Sequence, residues 1–143
     1  MSSLDKIGVK VVPAAPPMAT TGNALPLLHE IAALLQALAE RSEEGCIDLR
    51  GLPLAPGDYD HLRALLGEGE VQATIDAAGE TRVRETAYAG VWWVTHRGPD
   101  DEVMAERIEI TFMPAILTSH PADVGVAARR LHDDIEARTN DAP

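Results

Sequence analysis

The segment Arg82–Arg97, which reads RVRETAYAGVWWVTHR, decides the fold of this chain. It is rich in valine, threonine, tyrosine and tryptophan, which favour β-strands. Ala89–Gly90 interrupts it, and a glycine inside a strand predicts a bulge or a bend. Successive side chains of a strand point to opposite faces, so Trp92 and Trp93 are both buried only if the sheet is covered on both sides. One of the two tryptophans is therefore a candidate for exposure.

Further strands lie on both sides of this segment. Cys46–Arg50 alternates as a short strand does, and residues 71–75 alternate between apolar and polar side chains in a second strand. A hairpin loop at residues 98–101 leads to a returning strand at about residues 103–112. The apolar face of this returning strand carries Met104, Ile108, Ile110 and Phe112. These patterns predict an antiparallel sheet.

Three stretches repeat apolar residues at three- and four-residue steps, as one face of a helix does. The first covers about residues 23–42, and the second is a short helix that Asp58 caps and Gly67 closes. The third covers about residues 121–138, and its apolar stripe consists of Val124, Ala128, Leu131 and Ile135. Together the elements predict an α+β fold, in which an antiparallel β-sheet of about four to five strands is packed by about three helices.

The chain has 143 residues, the length of one ordinary domain. The run Val-Pro-Ala-Ala-Pro-Pro at residues 12–17 removes backbone donors and favours extended geometry. We therefore expect a flexible proline-rich tail at residues 1–22, a single domain at residues 23–138 and a short C-terminal tail at residues 139–143.

The composition argues against several classes of protein. There are 23 acidic and 12 basic residues, and the net charge of −11 repels the phosphate backbone of nucleic acids. The longest apolar stretch, Ile31–Ala39, contains Gln36 and is far shorter than the roughly 20 residues that span a bilayer, so membrane insertion is not expected. Cys46 is the single cysteine, which excludes an intramolecular disulfide. No secretory signal pattern is visible, and we expect a cytoplasmic protein.

Motifs for catalysis or for cofactor binding are missing from the sequence. The five histidines do not form the HExxH pattern of a zinc protease, and neither GxGxxG nor a P-loop occurs. Cys46 begins a predicted strand, where a thiol more often packs as a small apolar group than acts as a nucleophile. The sequence therefore predicts a protein that is not an enzyme and carries no cofactor.

The tryptophan pair and its neighbours have the composition of a protein-binding hot spot, because an exposed tryptophan would lie beside valines, a histidine and an arginine. The alternatives are that both faces of the strand are covered, or that a homodimer buries the second ring. The candidate partner-binding residues are Trp92, Trp93, Glu85, Arg84, His96 and Arg97.

Glu85 also has a structural interpretation. It shares a strand face with Val83 and Ala87, where a carboxylate is costly unless it is paired. We therefore expect an ion pair rather than a catalytic role. The available partners are Arg82, Arg84 and Arg107.

Several ordered blocks of sequence resemble a known family. The blocks are GCIDLRGLPL at residues 45–54, LGEGEV at 66–71, VRET at 83–86 and GVWWV at 90–94. In this order they resemble the C-terminal-type domain of the HupH/HyaF hydrogenase expression/formation proteins, over about residues 25–135. The resemblance implies a cytoplasmic role in the maturation of a membrane-bound NiFe uptake hydrogenase. It carries over no catalytic residue, and the matching positions are Asp48–Arg50, Glu85 and the two tryptophans.

The leading hypothesis is an accessory protein that binds a hydrogenase precursor subunit, with the iron-sulfur small subunit favoured, or other hydrogenase maturation proteins. One alternative is a metal- or iron-sulfur-cluster-handling protein, with a site built from His96, His120, Cys46 and carboxylates. A second alternative is a small-molecule enzyme with a pocket lined by Glu85, Arg84 and His96. Longer members of the family carry two related units, so a homodimer is also left open.

Overall fold

The computed structural model describes residues 19–141, which form five strands and three α-helices. In chain order these are α1 (Ala24–Arg41), β1 (Gly45–Asp48), α2 (Pro56–Leu66), β2 (Gln72–Asp76), β3 (Glu80–Glu85), β4 (Val91–Arg97), β5 (Val103–Ile110) and α3 (Pro121–Asn140). Short 3-10 turns lie at Leu49–Gly51 and Ala115–Leu117. The predicted α+β fold is confirmed. Most of the expected N-terminal tail, and the last two residues of the chain, lie outside the described residues.

All five strands pair antiparallel in the order β1-β5-β4-β3-β2, so β4 is the middle strand. The expectation of one strand bent at Ala89–Gly90 is wrong, because residues 86–90 form a turn between β3 and β4. Gly90 adopts a φ of 88°, which a strand cannot accommodate. The backbone N–H of Thr86 donates to the carbonyl of Val91 at 2.9 Å and closes the turn.

Helices α1 and α2 lie on one face of the sheet and build the main core with it. The helical stripe predicted for α1 is confirmed, since its buried side chains follow the three- and four-residue steps. The buried members of this core are Leu27, Ile31, Leu38, Ile47, Leu49, Leu62, Leu66, Val91, Trp93, Ile108 and Ile110.

A smaller core lies on the opposite face of the sheet, where Trp92 packs with Val83 and Val94. Leu117, from the turn after β5, covers this cluster, and the indole N–H of Trp92 donates to the carbonyl of Thr111 at 3.0 Å. Both faces of β4 are therefore closed. Only 4% of Trp92 and 3% of Trp93 are exposed. The expectation that one ring is exposed is wrong, because the chain after β5 passes over the second face.

Several element boundaries differ from the sequence predictions, and β1 is Gly45–Asp48 rather than Cys46–Arg50. β5 ends at Ile110, and Phe112 beyond it is exposed instead of continuing the apolar face. α2 begins at Pro56 and not after Asp58. Proline suits the first position of a helix because the backbone N–H that it lacks would make no hydrogen bond within the helix there. Asp58 is the third residue of α2, and its carboxylate accepts a hydrogen bond from the backbone N–H of Ala55 at 2.8 Å.

Asp58 also binds the chain that precedes α1. The backbone N–H and the hydroxyl of Thr21 both donate to the Asp58 carboxylate, and the N–H of Gly57 donates to the carbonyl of Ala19 at 2.9 Å. Ala19 and Thr21, which precede the expected domain start at residue 23, thus contact α2. The hydrogen bond from the Thr21 hydroxyl is the largest of the effects that lower the pKa of Asp58.

Helix α3 forms where it was predicted, but its packing differs from the expectation. Pro121 occupies the start of the helix, and the imidazole of His120 accepts a hydrogen bond from the N–H of Ala122 at 3.1 Å. No residue of α3 is buried, so its apolar stripe is open to solvent instead of lying on the sheet. Within residues 19–141, none of the helices combines the length and the apolar character needed to cross a membrane.

We expect Trp92→Ala and Trp93→Ala each to lower the free energy of unfolding by about 3–5 kcal/mol, because each removes a buried ring from one of the two cores. Urea unfolding followed by circular dichroism measures the change. Tyr88→Ala is the control, since this ring is 53% exposed, and its effect should stay below about 0.5 kcal/mol. A large loss in only one of the tryptophan variants would mean that one face of β4 is open in solution.

The hydrogen bonds to Asp58 make part of the stability depend on pH. They favour the ionised carboxylate, so the pKa of Asp58 is lower in the folded chain than in the unfolded chain. Their contribution is complete above the unfolded pKa of about 3.9 and is lost as the pH falls through the folded pKa.

We therefore expect Asp58→Asn to be less stable than the wild type near neutral pH, with a difference that shrinks below about pH 4. Free energies of unfolding measured for both proteins from neutral pH down to about pH 3 provide the check. A difference that stays constant over this range would show that these hydrogen bonds do not favour the ionised form.

Candidate partner-binding surfaces

The predicted partner-binding residues do not share one surface. Arg84 and Trp93 are cross-strand neighbours on the face of the sheet that carries α1 and α2. Glu85 and Trp92 are cross-strand neighbours on the opposite face. Because both rings are buried, the tryptophans act in the structure as core residues rather than as an exposed patch.

His96 and Arg97, the other two candidates, lie at the far end of β4 and make local contacts. The Nδ1 atom of His96 and the hydroxyl of Thr81 are hydrogen-bonded at 2.7 Å across the β3–β4 pair. The guanidinium of Arg97 donates to the backbone carbonyl of Asp101 at 3.0 Å in the following hairpin loop. These contacts stabilise the hairpins and do not extend the tryptophan region.

The ion pair expected for Glu85 is not observed among the residues that the structure describes. Two of the three arginines proposed as its partners pair with other acids, Arg82 with Glu80 and Arg107 with Glu109. Glu85 is half-buried, at the end of β3. Its carboxylate is tolerated there because a strand end leaves it in contact with solvent.

A partly buried charge network lies beside Trp93 instead. The indole N–H of Trp93 donates to Glu106 Oε1 at 2.8 Å, and Arg63 Nη2 donates to the same oxygen at 2.8 Å. The Arg63 guanidinium also lies 4.8 Å from the centre of the Trp93 ring, a cation–π distance. The Glu106 side chain is only 7% exposed, and it is stabilised because both donors point at one oxygen.

Neither Glu106 nor Arg63 was predicted from the sequence as part of a site. The signal for Glu106 was present, because it lies two residues before Ile108 on the apolar face of β5 and strand side chains alternate. Arg63 follows the buried Leu62 in α2, and no local pattern reveals that it reaches the sheet. Its role depends on how α2 is placed over β4 and β5.

A cleft of about 60 Å³ lies beside this network and contains Arg63, Arg84, Glu85 and Trp93 in its lining. The small-molecule enzyme hypothesis required a deep pocket that joins Arg84, Glu85 and His96. His96 does not line this cleft, and its volume is well below the roughly 300 Å³ at which ligand pockets begin. The geometry therefore does not favour that hypothesis.

The residues named for a metal site are also separated. His96 on β4 is hydrogen-bonded to Thr81, and His120 accepts a hydrogen bond at the start of α3. Cys46 is exposed on the edge strand β1. Partial burial of the thiol is the main cause that raises the pKa of Cys46, and the negative charge of the nearby Glu109 raises it further. A raised pKa disfavours the thiolate, which is the form that binds metals. Among residues 19–141, side chains close enough to share an ion are His132, Asp133 and Glu136, which are exposed on α3.

An apolar groove with a volume of about 290 Å³ lies between α1, α2 and the β3–β4 turn. We call it the α1–α2 groove. Its rim is formed by Leu65, which is 40% exposed, and Tyr88, which is 53% exposed. The other lining residues are Leu28, Ile31, Ala32, Leu35, Leu66 and Val91. The groove therefore presents apolar side chains to solvent next to a tyrosine hydroxyl.

The sequence of α1 explains this groove. Apolar residues occur as the doublets Leu27-Leu28 and Leu34-Leu35, so the apolar part of the helix is wider than one core-facing stripe. Leu27 is buried against the sheet, whereas Leu28 and Leu35 are only partly buried and line the groove. The doublets were the signal from which a second apolar surface could have been predicted.

Comparison with known proteins identifies relatives along most of the chain. Residues 21–138 match the family described as "HupH hydrogenase expression protein, C-terminal conserved region". The hydrogenase expression/formation protein HoxQ of Azotobacter vinelandii is 31% identical over 117 residues, which cover 80% of this chain and 41% of that protein. The hydrogenase expression/formation protein HupH of Rhodobacter capsulatus is 30% identical in an alignment 152 residues long, gaps included, which covers 95% of this chain and 55% of that protein. The chain thus spans about half the length of these curated relatives.

A solved structure has the same fold. It is the hydrogenase expression protein HupH from Thiobacillus denitrificans, with a TM-score of 0.81 and 45% sequence identity. The comparison covers 83% of this chain and 99% of that chain. The resemblance noted in the sequence is confirmed, and this chain belongs to the HupH hydrogenase expression protein family through the C-terminal conserved region.

Proposed function

We propose that this chain is an accessory protein in the maturation of a NiFe uptake hydrogenase, and that it binds a precursor subunit or another maturation protein. Family membership carries the proposal, because HoxQ and HupH are both named hydrogenase expression/formation proteins. The iron-sulfur small subunit is the first partner to test. The proposed place of action is the cytoplasm, before the assembled enzyme is exported.

The α1–α2 groove is the proposed contact surface. A subunit that has not completed its core exposes apolar segments, and docking them in an apolar groove removes them from water. Tyr88 adds a large ring with a polar tip, a residue type that is enriched in binding hot spots. The exposed Leu65 lies on the α2 side, so both walls of the groove contribute apolar contact.

The charge of the chain supports a role in handling a precursor. With a net charge of −11, a complex of this protein with an incompletely folded subunit repels other copies of itself. Such repulsion slows association of exposed apolar segments with one another. The proposed activity is therefore binding and holding, and the names of the relatives support it more than they support catalysis.

We expect Tyr88→Ala and Leu65→Ser each to weaken binding of the precursor by at least about tenfold, because each removes apolar contact at the rim of the groove. Isothermal titration of the purified chain with the precursor small subunit, and separately with the large subunit, measures the dissociation constants. The two titrations also decide which subunit is the partner.

Met104→Ser is the matched control, because Met104 is 58% exposed on β5 and does not line the groove. It should leave the dissociation constant unchanged. Equal losses in all three variants would contradict the groove as the contact surface. If the wild-type chain bound neither subunit and recovered no maturation protein from hydrogenase-expressing cells, the proposed function would be wrong.

A further inference from the structure

The apolar stripe of α3 lacks a cover within the described part of the chain. Val124, Leu131 and Ile135 are 53%, 62% and 55% exposed along one side of a 20-residue helix. Most helical stability in proteins comes from packing of such a face, and Gly125 and the β-branched valines make this helix intrinsically weak. α3 therefore presents a surface that a partner helix would stabilise.

The spacing of this stripe is the same when it is read from either end. Its members Val124, Ala128, Leu131 and Ile135 are separated by four, three and four residues. In an antiparallel pair, a two-fold axis at the midpoint of residues 129–130 places Val124 opposite Ile135 of the second copy. The same axis places the small Ala128 opposite the large Leu131 of the second copy. The stripe is thus complementary to itself, as a two-fold symmetric interface requires.

The residues beside the stripe permit close approach. Gly125 and Ala127 flank it in the first half of the helix, and neither has a side chain that would hold the backbones apart. At about 100° per residue, most of the charged residues fall on the outer side of the helix. These outer residues are Arg129, Arg130, Asp133 and Glu136. An antiparallel pair would therefore bury apolar side chains without burying these charges.

The distribution of charge along α3 favours the antiparallel direction. The first half of the helix has two arginines and one aspartate, whereas residues 132–141 have four acids and one arginine. A parallel pair would place the acidic halves together. The antiparallel pair brings Arg138, which borders the stripe, near Asp123 of the second copy at each end. Opposite charges then meet at both ends of the interface.

We propose that two copies of this chain associate through α3 as an antiparallel, two-fold symmetric helix pair. The pair is about 30 Å long, from the rise of 1.5 Å per residue over the helix. An interface of two helices is small, so association depends on protein concentration in the micromolar range. The proposal uses a surface other than the α1–α2 groove and does not depend on the hydrogenase role.

Two valines of α3 give a matched pair of variants. Val124 and Val126 are 53% and 54% exposed and lie two residues apart, but only Val124 belongs to the stripe. We expect Val124→Asp to weaken dimerisation by at least about tenfold and Val126→Asp to leave it unchanged. Sedimentation equilibrium of the full chain over a range of concentrations measures both constants. Fluorescence of the buried Trp92 and Trp93 confirms that each variant keeps its fold.

The direction of the helices is tested by cysteine pairing in a Cys46→Ser background. A mixture of the single variants Val124→Cys and Ile135→Cys should form a disulfide between the two different chains. Each variant alone should form far less, because an antiparallel pair separates its identical positions. Efficient pairing of Val124→Cys with itself would indicate a parallel arrangement and overturn the proposal.

Three further results would also overturn it. The first is a wild-type chain that remains monomeric up to about 100 μM, well above the concentration expected for a specific interface. The second is equal weakening by Val124→Asp and Val126→Asp. The third is a monomeric wild-type chain whose binding to a hydrogenase subunit is weakened by Val124→Asp, which would make that subunit the occupant of the stripe.

Discussion

Strand β4 carries two adjacent tryptophans, and side-chain alternation sends their rings to opposite faces of the sheet. Because β4 is the middle strand, both faces must be covered at the centre of the sheet for both rings to be buried. α1 and α2 cover the Trp93 side. On the other side the chain after β5 supplies the cover, through Leu117 and the carbonyl of Thr111. The path of the chain between β5 and α3 follows from this requirement.

Trp93 introduces a polar requirement into the main core, because its indole N–H needs an acceptor when it is buried. Glu106 on β5 provides the acceptor, and its charge then needs a partner. Arg63 supplies that partner from α2 and contacts the ring as well. One network thus joins the middle strand, its neighbour and a helix. These contacts fix the position of α2 over β4 and β5. α2 in turn forms one wall of the α1–α2 groove.

These contacts cover both faces of the sheet at β4, and two apolar surfaces open to solvent lie on the helices. The α1–α2 groove arises because α1 is apolar over more than its core-facing side. The α3 stripe is exposed because no residue of α3 is buried against the sheet. The α1–α2 groove is the proposed contact surface for a hydrogenase protein, and the α3 stripe is the proposed interface between two copies of the chain. The cleft near Trp93 is small by comparison. Family membership supports the accessory role proposed above, and the α1–α2 groove is the contact surface proposed for it.

The sequence alone determined the α+β class, the three helices, most strand boundaries and the family, because periodicity and short motifs depend on residues that are close in the chain. It did not determine that both tryptophans are buried, that Arg63 reaches Glu106, or that α3 packs against no other element among the described residues. Each of these depends on contacts between distant segments. The hydrogen bond from Trp92 to Thr111 joins residues 19 positions apart in the sequence. The pairing of Arg63 with Glu106 joins residues 43 positions apart. Local patterns indicate that a side chain is apolar or charged, and only the tertiary structure decides what it meets.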